Sequence, residues 1–237
     1  MAFVQIFVED ELTDPYEILA ARALGVNAPD RRQSRRRRVR AARLKMSEFT
    51  RMDSLLDTVR RACRAGSRCV LFVLDEEDYN ASPDRSARLT EFREAFEAFC
   101  RYLETLPPDD QLRQVKVTRI VSKTCLECWL LADPQAVVQA VGGPSSYRPQ
   151  ARNTERHSPR QAREQIAHIV REVGKRTGNR RLVRAGSRSV KTIGVKIAPY
   201  VEPEQARRRN FSLDYFYDMI RCEQSGCERP FPEQEEL

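Results

Sequence analysis

The stretch Val70-Leu71-Phe72-Val73-Leu74-Asp75-Glu76-Glu77-Asp78 decides the fold. An unbroken apolar run, rich in Val and Leu, meets four consecutive acids. Such a run, bounded by a polar cluster, reads as a strand buried on both faces, the kind found inside a parallel sheet. In open α/β sheets, functional groups gather beyond the carboxyl ends of the strands. Adjacent carboxylates there repel one another, and a hard divalent cation relieves that repulsion. A solvated acidic turn is the alternative, because strand exits are often polar.

Working outward, Ser47 to Ala65 reads as a helix with Met52, Leu55, Leu56 and Val59 on one face, closed by Gly66. Phe3 to Val8 reads as the first strand and ends at Glu9-Asp10-Glu11. The strand–helix–strand order predicts a parallel pair joined by a right-handed crossover. Thr13-Asp14-Pro15 marks a helix start, and Tyr16, Leu19, Ala20 and Ala23 form its stripe up to Gly25. Beyond the acids, Ser82-Pro83-Asp84 opens a long helix with Leu89, Phe92, Phe96, Phe99 and Leu103 on one face. Val115 to Val121 reads as a third strand. Thr124 to Pro134 then looks like a strand end turning into a helix, with Glu127 as one acid among apolar neighbours. A buried carboxylate is costly unless it is paired or bound to a metal, so an arginine partner and a metal both fit it.

From Gly142 to Pro159 the composition shifts to Gly, Pro, Ser, Arg and Asn, a loop signature. The remainder reads as helical, with stripes at Ile166, Ile169, Val170 and Val173 and at Phe211, Tyr215, Phe216, Met219 and Ile220. The expected division is an α/β domain over 1–141, a linker over 142–158 and a helical extension packed on the core over 159–237.

The 237 residues are enough to bury a core without disulfides, so the seven scattered cysteines read as reduced thiols. Cys125 with Cys128 and Cys222 with Cys227 could supply four zinc ligands, but the first pair lies in an apolar run that suits packing. No apolar run reaches the ~18 residues of a membrane span. The first ten residues lack the basic region of a signal peptide, so a cytoplasmic location is expected. The formal net charge of +8 favours a polyanionic partner, and nucleic acid is the commonest. The run Arg31 to Lys45, with Arg35, Arg36, Arg37 and Arg38 at its centre, reads as an exposed loop or a helix approach. It would either contact a phosphate backbone or be a solvated insertion. A second basic cluster includes Arg184, Arg188 and Lys191. Lys191 would contact phosphate or simply be a solvated lysine. His157 and His168 lie in no Ser-His-Asp pattern, and no Gly-rich phosphate loop is readable.

Three acidic stations thus fall at expected strand ends: Glu9-Asp10-Glu11, Asp75 to Asp78, and Glu127. Their pattern resembles the TOPRIM domain of topoisomerases, primases and OLD-type nucleases. Phe7-Val8-Glu9 resembles its first motif, a glutamate after the first strand. Asp75-Glu76-Glu77-Asp78 resembles its Asp-x-Asp, except that Glu77 stands at the second aspartate's place with Asp78 one residue later. Glu127-Cys128-Trp129-Leu130-Leu131-Ala132-Asp133 resembles the E-x-W-L-L-A-D segment of a TOPRIM-like bacterial family related to RloB-type proteins. Ile197-Ala198-Pro199 and Arg209-Asn210-Phe211-Ser212-Leu213 resemble that family's C-terminal part. The resemblance implies a Rossmann-like, mostly parallel sheet flanked by helices. It further implies a Mg²⁺- (or Mn²⁺-) dependent nuclease in anti-phage defence, often beside an ATPase. Glu9, Asp75 and Glu77 or Asp78 would hold the metal, Glu127 would be a further ligand or a base, and Lys191 would meet the phosphate. The altered Asp-x-Asp leaves a second reading open, a non-catalytic adaptor that binds nucleic acid or the ATPase.

Overall fold

The computed structural model describes residues 3–27, 30, 32, 39–76, 83–184 and 190–225. Side chains at every other position of β1 (Phe3–Val8) point the same way, so Val4, Ile6 and Val8 enter one core while Phe7 faces the other. The apolar run at 70–74 extends into a strand, β3 (Ser67–Asp75), in which Cys69 to Leu74 are all buried. With β2 (Val39–Arg43) and β4 (Lys116–Ser122) these form one sheet in the order β2-β1-β3-β4. Every pairing is parallel: Val8 lies opposite Arg43 and Val73, and Asp75 lies opposite Ser122.

Helices cover both faces, as a fully parallel sheet requires. On one face, Val4, Ile6, Val8, Leu71 and Val73 pack with residues of α1 (Asp14–Ala23) and of the second half of the chain. On the other, Val70, Phe72 and Leu74 meet α2 (Met46–Phe49), α3 (Met52–Arg64) and α4 (Pro83–Thr105). The expected α/β class with a parallel, Rossmann-like sheet is what the chain adopts. Among the described residues no helix is long and apolar enough to cross a membrane.

Two expectations are corrected. The end of the basic run is neither loop nor helix approach: Val39–Arg43 is the edge strand β2. Its Val39 is buried and its Arg40 and Arg43 are exposed, which is how an edge strand keeps its outer side charged. Arginines at such spacing conceal the strand from a hydrophobicity reading. The single helix over Ser47 to Ala65 is broken at Thr50-Arg51, where Arg51 is extended (φ −126°, ψ 119°). The break lets Phe49, fully buried, meet Phe72 and Phe92 edge-on at 6.0 and 5.3 Å while α3 packs its own apolar face into the same core.

The second half of the chain contributes α5 (Leu126–Leu131), α6 (Pro134–Ala140), α7 (Pro159–Thr177), α8 (Arg180–Val183), α9 (Val190–Ile197), a 3₁₀ turn (Ala198–Tyr200), α10 (Pro203–Ala206) and α11 (Phe211–Ser225). Ile166, Val170, Val173, Leu213 and Phe216 share one core with β1 and β3. The helix pair α7–α8 is tight: a Cβ on Gly174 would lie 2.6 Å from the Val183 nitrogen. Gly174→Ala therefore sets a helix-propensity gain of about 1 kcal/mol against an overpacking cost of about 1–3 kcal/mol. The contact is with backbone, which cannot swing away, so urea denaturation should show a net loss of stability.

Candidate functional site

The chain leaves β1 through α1 toward β2 at one edge, whereas β3 and β4 extend the sheet on the other side of β1. The connections thus diverge between β1 and β3. Beyond the carboxyl ends of two such strands the loops part and leave a crevice, the common binding position in open α/β sheets. Glu9 and Asp10 follow β1 directly, and Asp75 is the last residue of β3. All three are partly buried.

Tyr16, in the first turn of α1, lies beside the end of β3. It is 1% exposed, and its hydroxyl donates to Asp75 Oδ1 at 3.4 Å. Burial, followed by the charges of Asp75, Asp10 and Glu127, holds its pKa well above that of a free tyrosine, so it stays protonated. Of these acids, Asp75 is the one in hydrogen-bond contact with the hydroxyl. The Leu126 N–H donates to Asp75 Oδ2, also at 3.4 Å. Both contacts are long for their type and therefore weak, so they orient Asp75 without enclosing it.

Glu127 lies in the first turn of α5, directly after Leu126, whose N–H donates to Asp75. Its side chain is 9% exposed, and Arg163 Nε of α7 donates to its Oε1 at 2.9 Å. Of the two partners open to this buried acid, the arginine is present. Lys123, just after β4, pairs with Glu76 at 2.9 Å and adds a second cation at the strand ends.

The bend that aims α5 is held from the far end of the chain. Asn210 Nδ2 donates to the Lys123 carbonyl and the Lys123 N–H donates to Ser212 Oγ, both at 2.9 Å. Trp129 Nε1 also donates to Ser212 Oγ at 2.9 Å, and the indole packs between Tyr16 and Phe216. Asp133 caps α6 by accepting from the Gln135 and Ala136 N–H groups, and its other oxygen accepts from Glu202 N–H at 2.9 Å. In the Glu127–Asp133 segment, then, Glu127 pairs with Arg163 while Trp129 and Asp133 bind distant parts of the chain together.

Cys125 and Cys128 are both fully buried, with their sulfurs 3.6 Å apart. The hydrogen bond between them raises the Cys125 pKa and lowers that of Cys128. They pack beneath the site, in keeping with their apolar setting. Both are free thiols.

Glu77, Asp78, Arg35, Arg36, Arg37, Arg38 and Arg188 lie outside the described residues, as does the side chain of Lys191. The helix carrying Lys191, α9, approaches α5 at Gly194, where a Cβ would lie 3.2 Å from Leu130. Arg184 is exposed just after α8. Arg184 follows Val183, whose backbone meets α7 at Gly174, eleven residues beyond Arg163. Sequence reasoning missed Tyr16, Lys123 and Arg163. Tyr16 was legible only as part of an apolar stripe, although it is the stripe's one residue with a polar tip.

The oxygen-only donors Glu9, Asp10 and Asp75 suit a hard divalent ion chemically. Among the described residues, no three His, Cys, Asp or Glu side chains are arranged to enclose one. No protein-family model matches this chain, and no curated protein or solved structure does either.

Proposed function

We propose that the chain is a metal-dependent phosphodiesterase acting on nucleic acid, built on a TOPRIM-like sheet. The observation that carries this reading is the placement of acids at the carboxyl ends of neighbouring strands β1 and β3, where the connections diverge, with Asp75 Oδ1 accepting from the buried Tyr16 hydroxyl. Clustered carboxylates cost stability, and a site that keeps them spends that stability on chemistry.

Glu9 and Asp75 would hold Mg²⁺ or Mn²⁺, with Glu77 or Asp78 completing the set. When bound, the ion would activate water and stabilise the leaving oxygen. Tyr16, held protonated, orients Asp75 through its hydroxyl. Arg163 engages one oxygen of Glu127, and the second oxygen would take the proton of an attacking water. Lys191 would steady the phosphate from α9. The formal charge of +8 would draw a polyanion to this acidic crevice from outside. A place in anti-phage defence beside an ATPase rests on the sequence resemblance.

The test is incubation of the purified chain with plasmid, single-stranded DNA and total tRNA in Mg²⁺ or Mn²⁺, with calorimetric titration of Mn²⁺. Metal-dependent cleavage of any substrate is the expected result. Glu127 already paired to Arg163 favours a second reading, a non-catalytic adaptor. Absence of both cleavage and Mn²⁺ binding would select it.

A further inference from the structure

The outer side of α7 carries a groove separate from the acids. One part, about 390 Å³, is lined by Arg152, Arg156, His157 and His168. The adjoining part, about 200 Å³, is lined by Tyr147 and Ile169 and shares Arg152, Gln165 and His168 with the first. Both histidines of the chain are therefore in this one groove. Among the described residues neither Arg152 nor Arg156 joins an ion pair, whereas the one acid at the rim, Glu164, is held by Arg160 at 2.8 Å. His157 lines the groove with its Nδ1 buried and without a hydrogen-bond partner. The Tyr147 ring is steadied by Arg176, whose guanidinium lies 4.4 Å from the ring centroid.

These two ends differ in chemistry. Arginines with imidazoles suit a phosphate, whose oxygens accept charge-assisted hydrogen bonds. A fixed aromatic ring beside an aliphatic wall and the Gln165 amide suits a flat heterocycle with polar edges. We propose that this groove binds a nucleoside phosphate, with its phosphate at Arg152, Arg156 and His157 and its base against Tyr147. The ligand is either a free nucleotide or one unit of a nucleic-acid strand. The proposal does not depend on the reaction assigned to the acids.

With only two histidines, imidazole NMR reads the site directly in the full chain. Added 5′-mononucleotide should shift both imidazole signals saturably. The double variant Arg152→Glu/Arg156→Glu, altered only at exposed positions, should keep its melting profile and bind at least about a hundredfold more weakly, since it removes two charge-assisted contacts and adds like charge beside the phosphate. Tyr147→Ala should weaken the nucleotide but not inorganic phosphate. Tighter binding of a short oligonucleotide than of the mononucleotide would identify a strand, and equal binding a free nucleotide; either agrees with the site. Asp75→Asn should bind as the parent does, which separates this groove from the proposed nuclease. Unmoved imidazole signals at millimolar nucleotide, or inorganic phosphate binding as tightly as the nucleotide, would overturn the proposal.

Discussion

Asp75→Asn is expected to reduce metal-dependent cleavage by roughly a hundredfold or more, the scale of losing a positioned catalytic group, without loss of stability. The substitution keeps the side chain's shape and its acceptor oxygen toward the Leu126 N–H, and presents an amide donor that the Tyr16 hydroxyl, by rotating, accepts. It removes one negative charge from a place where Asp10 and Glu127 also act on Tyr16. Relief of that repulsion should leave stability unchanged or raise it by up to about 1 kcal/mol, as commonly happens when a functional site is neutralised. Glu9→Gln should behave alike. The decisive comparison sets cleavage rate beside the urea midpoint. Activity lost with stability retained supports a functional cluster. Activity lost only in step with stability would make Asp75 a structural residue and remove the basis of the nuclease reading.

Trp129→Ala should cost about 3–5 kcal/mol, the usual penalty for emptying a large aromatic site in a core. Whole domains have only about 5–15 kcal/mol to lose. Trp129 is fully buried, touches Tyr16 and Phe216 at centroid distances of 6.0 and 5.0 Å, and is hydrogen-bonded to Ser212. Its removal would loosen the wall behind Tyr16 and free the bend that aims Glu127. Trp129→Phe fills most of the space and should cost less, although Ser212 loses a donor worth about 1 kcal/mol. Equilibrium denaturation distinguishes them. If the alanine variant were as stable as the parent, the joint between α5 and α11 would not be what holds the site.

Much of this architecture is legible in residues alone. β3 announces itself because a strand buried on both faces has no room for polar side chains, and its acids mark the point where the sheet ends. β1, β4, α1 and the loop over 142–158 are readable for similar reasons of period and composition. The edge strand β2 is not, because one side of an edge strand faces water and its arginines imitate a solvated loop. The split between α2 and α3 is not either, since it depends on where Phe49 finds its aromatic neighbours.

The site divides in the same way. That Glu9, Asp75 and Glu127 are candidates follows from local pattern, because each interrupts or ends an apolar run. That Asp75 meets the Tyr16 hydroxyl does not, since the two are 59 residues apart and are joined by sheet order and helix packing. The choice of Arg163 as Glu127's partner is likewise tertiary: many arginines were available, and the placement of α7 against α5 selected one. The sequence by itself determined which segments are buried and where acids interrupt them, because hydrophobic period and charge are local properties. Only the tertiary structure decided which acids share a crevice and which cation answers them, because electrostatic pairing depends on distance in space.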